Sequence, residues 1–81
     1  MGTTRKAKNV IGRRVAEVRA SLQPPVTQDA LSGRLALIGI QLDRAAIAKI
    51  ETNQRCVFDY ELKALAEVLG VSVEWLLGGV R

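Results

Sequence analysis

The side chains best suited to chemistry lie in the stretch LDRAAIAKIETNQR, residues 42–55. A helix through this stretch, at about 100° per residue, places Glu51 on the same face as two isoleucines and turns Lys49 away from it. Arg44 and Lys49 carry hydrogen-bond donors that suit the N7 and O6 acceptors of guanine. A carboxylate on an apolar face needs a partner, because an unpaired buried charge is costly. The stretch therefore offers hydrogen-bond donors suited to recognition, together with a carboxylate on the apolar face that requires a partner.

Few other groups in the chain could support catalysis. The sequence contains no histidine and a single cysteine, Cys56, so neither an internal disulfide nor a zinc site is expected. No nucleophile is paired with a base, no glycine-rich loop could cradle a phosphate, and no carboxylates cluster. We therefore expect no enzyme activity, no cofactor and no metal. Cys56 is expected to be a half-buried small residue after a helix, with a redox or ligand role as the alternative.

Charge is distributed unevenly along the 81 residues, whose formal net charge is +4. Residues 5–55 contain ten Lys or Arg and four Asp or Glu, a net charge of +6, whereas residues 56–81 contain two and four, a net charge of −2. This asymmetry suggests one face for a polyanion, with a solvated surface of mixed charge as the alternative. No apolar run approaches the ~18 residues of a membrane span, and no secretion signal is visible. A cytoplasmic protein is expected.

Aliphatic residues spaced three and four apart predict an all-α fold. Hydrophobic residues make up 48% of the chain and aromatic residues only 4%, so the core must be mainly aliphatic. The pattern predicts a compact bundle of five helices over residues 9–78, preceded by a flexible basic arm at residues 1–8 and followed by a tail at residues 79–81. The first helix is expected over about residues 9–22, because a Gln-Pro-Pro segment follows it.

Short polar residues and glycines mark where the other helices begin and end. Four residues are expected to cap helix N-termini with their side chains: Thr27, Asp43, Asp59 and Ser72. Four residues are expected to end helices with a positive φ angle: Gly39, Asn53, Gly70 and Gly78. In the second helix the apolar stripe is expected to reach Ile38. Gly33 in that helix should permit close approach of another helix, although simple tolerance of a cost of about 1 kcal/mol is the alternative.

Four segments carry a resemblance to a known family: IGRRVAEVR, TQDAL, IAKIETNQR and LKALAEVLGVSVEWLL, within residues 10–78. They are similar to the helix-turn-helix domains of phage repressors and Cro proteins, the XRE-like regulators. The resemblance implies a lambda-repressor-like bundle that contains a helix-turn-helix. It also implies a sequence-specific transcriptional regulator of repressor type, which binds double-stranded DNA as a homodimer on a palindromic operator.

The resemblance assigns roles to individual residues of the third helix, expected over about residues 43–53, and of its surroundings. The residues that match base-reading positions in the major groove are Arg44, Ala45 and Lys49. The candidates for DNA-backbone contact are Thr27, Gln28, Asn53 and Arg55, with Gln41 added because its connection is longer than in the tightest phage examples. The candidates in the basic arm are Arg5, Lys6 and Lys8. Arg19, late in the first helix, would hold the third helix through a bidentate ion pair with Glu51.

A second function fits the same sequence: a helical protein–protein interaction module whose basic face is incidental. Trp75 is the only tryptophan, and it is expected in the core. If exposed instead, Trp75 would join Val73, Leu77 and Val80 in an apolar patch for a partner or a second copy. The salt dependence of DNA binding separates the two functions, because neutralising phosphates releases counterions.

Overall fold

A computed structural model describes residues 7–79 of the chain, and this part is all-helical, without strands. It contains α1 (Gly12–Ser21), α2 (Gln28–Leu37), α3 (Arg44–Glu51), α4 (Asp59–Leu69) and α5 (Val73–Leu76). The fold class predicted from the aliphatic spacing is therefore confirmed. Arg5, Lys6 and Val80 lie outside the described residues.

One aliphatic core lies where α1, α2, α3 and α4 meet, and α5 packs against α4. The largest fully buried side chains are Val15, Leu31, Leu35, Leu42, Ile47, Ile50, Leu65 and Leu76. Each contributes roughly 1.5–3 kcal/mol through burial. Three of them, Leu42, Ile47 and Ile50, come from α3 or the residue before its cap, so the core itself seats this short helix.

Most of the predicted helix boundaries are confirmed. The side chains of three N-caps accept a hydrogen bond from the backbone N–H three residues later: Thr27 (3.0 Å), Asp43 (2.8 Å) and Ser72 (3.0 Å). Four residues have the predicted positive φ: Gly39 (84°), Asn53 (63°), Gly70 (73°) and Gly78 (103°). These signals are local, because each depends on residues within about one turn of the helix end.

The predicted cap of α4 is wrong by one residue. Asp59 is the first helical residue, and Phe58 occupies the N-cap position without a side-chain acceptor. The Glu61 carboxylate instead reaches back and accepts the Phe58 backbone N–H at 3.0 Å. The start of α4 is thus stabilised by half of a capping box, from the acidic residue at N3.

Three expectations about burial are also corrected. A Cβ atom at Gly33 would meet nothing within 4 Å, so no helix approaches this glycine and simple tolerance is the correct interpretation. Ile38 is 42% exposed, because it follows α2 with φ −107° and ψ 20° and so leaves the helical stripe. Cys56 is exposed rather than half-buried, in the connection between α3 and α4.

Trp75 is partly buried and packs against the core. The Arg14 guanidinium lies 4.6 Å from the ring centroid, and its Nη1 donates to the carbonyls of Trp75 (2.6 Å) and Gly79 (2.9 Å). Val73 is likewise half-buried against the core, whereas Leu77 is exposed. Within residues 7–79, the alternative apolar patch is therefore reduced to Leu77.

Candidate nucleic-acid interface

The inner face of α3 is held by apolar contacts and by an ion pair. Ile47 and Ile50 are fully buried in the core, and Asp43 caps the helix through the Ala46 N–H. At the last residue of α3, the Glu51 side chain is only 7% exposed. An eight-residue helix has little stability of its own, so these contacts determine where α3 lies.

Glu51 accepts three hydrogen bonds from two other helices. Arg19 donates from Nε to Oε2 at 2.7 Å and from Nη2 to Oε1 at 3.0 Å, and Gln28 donates from Nε2 to Oε1 at 2.9 Å. Arg19 also donates from Nη1 to the Val26 carbonyl at 3.0 Å. The hydrogen bond to Glu51 raises the pKa of Arg19, although burial opposes this effect. The predicted bidentate pair is present, and it joins α1 to the end of α3.

The outer face of α3 is open to solvent. Arg44, Ala45 and Lys49 are all exposed, whereas Ala48 is half-buried. The side chain of Arg44 is 70% exposed, and its Nη1 lies 3.9 Å from Asp29 Oδ2 at the start of α2. The structure therefore places the three candidate base-reading residues on one accessible surface, with small side chains between the cations.

The candidate backbone-contact residues at the start of α2 are only partly available. Thr27 is exposed, but its hydroxyl oxygen caps α2. Gln28 is half-buried, with its amide nitrogen directed at Glu51. Gln41, in the connection before α3, is exposed. The first turn of α2 lines a concavity together with Arg44 of α3, and the Gln28 side chain is turned inward.

Asn53 and Arg55 are half-buried, and their side chains have intramolecular partners. The Asn53 Nδ2 donates to the Asn9 backbone oxygen (3.1 Å) and to Asn9 Oδ1 (3.0 Å). Arg55 donates from Nη1 to Glu61 Oε1 at 2.9 Å and to the Cys56 carbonyl at 2.8 Å. Sequence reasoning assigned both residues to the DNA backbone, and the structure gives their side chains roles in holding the α3–α4 connection.

Asn9 ties the segment before α1 to the end of α3. Its Oδ1 accepts the N–H groups of Ile11 (3.1 Å) and Gly12 (2.9 Å), which is why α1 begins at Gly12 rather than at residue 9. Its Nδ2 donates to the carbonyls of Ile50 (3.1 Å) and Arg55 (2.8 Å). The exposed Lys8 donates its backbone N–H to Asn53 O at 3.0 Å. Lys8, a candidate DNA contact of the basic arm, therefore lies beside the C-terminal end of α3.

The ion pair between Arg55 and Glu61 was missed by sequence reasoning. The Glu61 side chain is 6% exposed. Burial raises the pKa of its carboxyl, but hydrogen bonds from Arg55 and from the Phe58 backbone, with the Arg55 charge, outweigh burial and hold the pKa below its ordinary value. Only one signal for this pair was visible in the sequence, the acidic residue three positions after Phe58, which is the N3 place of a capping box.

Stability should fall at acid pH through Glu61. Because its pKa is lower in the folded protein than the ordinary value of 4.5, the stabilisation is fully present above that value and is lost as the pH falls through the folded pKa. Urea unfolding of wild type and Glu61→Gln, between about pH 7 and pH 3, should show a free-energy difference that shrinks on acidification. In an Arg55→Met background the shrinkage should be much smaller. A difference that stays constant over the whole range would contradict this account.

Comparison of the chain with protein-family models, with curated proteins and with solved structures gives no match. Among residues 7–79, no group of three or more His, Cys, Asp or Glu side chains could hold a metal ion. No helix in the same range has the length and apolar character needed to cross a membrane. The resemblance to phage repressors therefore remains a prediction, carried by the residues that were quoted for it.

Proposed function

We propose that the protein is a sequence-specific DNA-binding transcriptional regulator of repressor type. In this proposal α2 and α3 form a helix-turn-helix, and α3 enters the major groove with Arg44, Ala45 and Lys49 toward the bases. Two copies bind a palindromic operator, with half-sites about 34 Å apart. The regulator acts in the cytoplasm by occupying its site and blocking polymerase.

The division of α3 into an anchored inner face and an open outer face supports this proposal. Ile47, Ile50 and Glu51 fix the helix to the bundle, while Arg44 and Lys49 project into solvent. Arginine can donate to both O6 and N7 of guanine, and an exposed alanine permits close approach and contact with a thymine methyl. A rigidly held helix keeps these donors at one angle, which sequence-specific recognition requires.

The exposed residues around α3 supply the non-specific part of the affinity. The N-terminus of α2 is a general place for a phosphate oxygen, because the first N–H groups of a helix have no acceptor within the helix. The Thr27 side chain accepts one of them, from Ala30. Lys8 and Lys49 are exposed cations on the described part of the chain, and Gln41 is an exposed neutral hydrogen-bond donor. Phosphate neutralisation by such cations dominates affinity and makes binding depend on salt.

Salt titration of DNA binding is the decisive experiment. The logarithm of the binding constant for random duplex DNA should fall with the logarithm of salt concentration with a slope of about −5, for about six neutralised phosphates. Selection of bound oligonucleotides should then return a palindromic site. On that site Arg44→Ala should cost about 1–3 kcal/mol and relax the preference at one base pair per half-site. Losses of equal size on every sequence would contradict base reading by Arg44.

A response that does not depend on salt would favour the second candidate function, a helical interaction module. One observation supports that alternative: the exposed apolar side chains Val10 (71%) and Leu77 (50%) border a groove that Val57 and Leu62 also line. Exposed apolar grooves of this kind are typical of protein-binding surfaces. If DNA binding is confirmed, the same groove is a candidate for contact between the two copies.

A further inference from the structure

Gln28 holds one end of α2 against the opposite end of α3. It is the first residue of α2, and its Nε2 donates to Oε1 of Glu51, the last residue of α3, across 23 positions of the chain. The nitrogen must face Glu51, because the amide oxygen and the carboxylate are both acceptors and would repel each other. The orientation of the amide is therefore dictated by chemistry.

The hydrogen bond completes the shell of donors around Glu51. Oε1 receives both Gln28 and Arg19 Nη2, while Oε2 receives Arg19 Nε. Hydrogen bonds to an ionised carboxylate are about twice as strong as neutral ones. Arg19 connects Glu51 to α1. Gln28 connects the same carboxylate to α2 through a side-chain hydrogen bond.

The connection between α2 and α3 does not by itself fix the angle between the two helices, so side-chain contacts such as the Gln28–Glu51 hydrogen bond contribute to that angle. Residues 38–43 join the two helices, and most of their side chains are exposed, although Leu42 is buried. A lengthened, exposed connection constrains an angle less than a tight turn does. The C-terminal end of α3 is far from this connection. It is held through Glu51, which accepts the hydrogen bond from Gln28.

We propose that Gln28 is a positioning residue that sets the angle at which α3 presents Arg44 and Lys49, and that it does not act as a phosphate ligand. This inference rests on the proposed DNA-binding function. The amide nitrogen has two N–H groups, and one of them is committed to Glu51 by a charge-assisted hydrogen bond. Because the side chain is half-buried, a phosphate contact that pulled the amide outward would lose this bond. Retaining the bond in the complex keeps α3 in one orientation, and so favours one set of bases.

Gln28→Met tests this role, because methionine keeps the length of the side chain and removes the donor. Gln23→Met is the matched control: Gln23 is an exposed glutamine of the connection between α1 and α2, outside every proposed DNA contact. The affinities of wild type and both variants are measured for the selected palindromic duplex and for a random duplex, in the same salt and well below each melting temperature.

For Gln28→Met we expect the ratio of specific to random affinity to fall about tenfold, with random affinity changed less than about twofold. Gln23→Met should leave both affinities unchanged. Equal losses of Gln28→Met on both duplexes would identify a phosphate ligand and overturn the inference. A lower melting temperature with an unchanged ratio would identify a purely structural role and would overturn it as well.

The same experiment separates this inference from the proposed function. Wild-type protein that binds neither duplex, or binds both equally, contradicts the proposed function and removes this inference with it. Wild-type protein that discriminates between the duplexes, beside a Gln28→Met variant that discriminates equally well, contradicts the role of Gln28 alone.

Discussion

Gly12→Ala is expected to destabilise the fold by about 3 kcal/mol or more. Gly12 is buried at the start of α1, and a Cβ atom there would overlap the Ile50 carbonyl oxygen and lie 3.0 Å from both the Glu51 carbonyl carbon and Asn53 Nδ2. Two of these three neighbours are backbone atoms, which cannot turn away as a side chain can. The added methyl group therefore forces α1 and the end of α3 apart, where Asn9 and Asn53 also join them.

Gly33→Ala provides the matched control for this prediction, with the opposite sign. Gly33 lies inside α2, and no atom lies within 4 Å of the added Cβ, so alanine should stabilise the helix by about 0.5–1 kcal/mol. Urea unfolding of both variants measures the two effects. A Gly12→Ala variant within about 1 kcal/mol of wild type would show that α1 and α3 are not in close contact.

Glu51→Gln is expected to cost about 3 kcal/mol of unfolding free energy. The carboxylate accepts hydrogen bonds at both oxygens from Arg19 and Gln28. A carboxamide offers one oxygen, so in either orientation its NH2 group faces an N–H donor of the Arg19 guanidinium, which cannot accept a hydrogen bond. The guanidinium of Arg19, 19% exposed, would also lose its counter-charge.

Glu67→Gln is the matched control, because it makes the same replacement of glutamate by glutamine at an exposed position. Glu67 is an exposed residue of α4, and its replacement should alter stability by less than about 0.5 kcal/mol. A double-mutant cycle with Arg19→Met should show that removing both partners costs less than the sum of the single losses. Thermal melting of Glu51→Gln that coincides with wild type would contradict a buried pair. Because α3 carries the proposed base-reading residues, the variant should also lose specific DNA binding.

The positions where sequence reasoning was correct depend on short-range chemistry. An N-cap requires only that a side-chain oxygen reach an N–H three residues later, so Thr27, Asp43 and Ser72 could be assigned directly. The φ angle of Gly39 or Asn53 depends on steric limits within the residue itself. The cap of α4 was misassigned because two acidic residues, Asp59 and Glu61, stand near the same helix start, and only Glu61 accepts the Phe58 N–H.

The candidate interface residues differ in how far the sequence determines the direction of their side chains. Ala45 and Lys49 are exposed because the period of α3 turns them away from its buried isoleucines, and that period is visible in the sequence. Arg44 was assigned through the family resemblance, and it is exposed as the first residue of α3. Gln28, Asn53 and Arg55 were expected to face a DNA backbone. Their partners, Glu51, Asn9 and Glu61, lie in other segments, so no pattern within one segment predicts the direction of these side chains.

The sequence by itself determined the helical class, most helix boundaries and the outward face of α3, because these depend on the spacing of apolar residues and on interactions within one turn. It also suggested the partner of Arg19, through a family resemblance. Only the tertiary structure decided that Gln28 joins Glu51, that Arg55 pairs with Glu61, and that Gly12 rather than Gly33 is the glycine in close contact with another helix. Each of these contacts requires two elements to meet at distances of about 3 Å, and such distances are set by how the whole core packs.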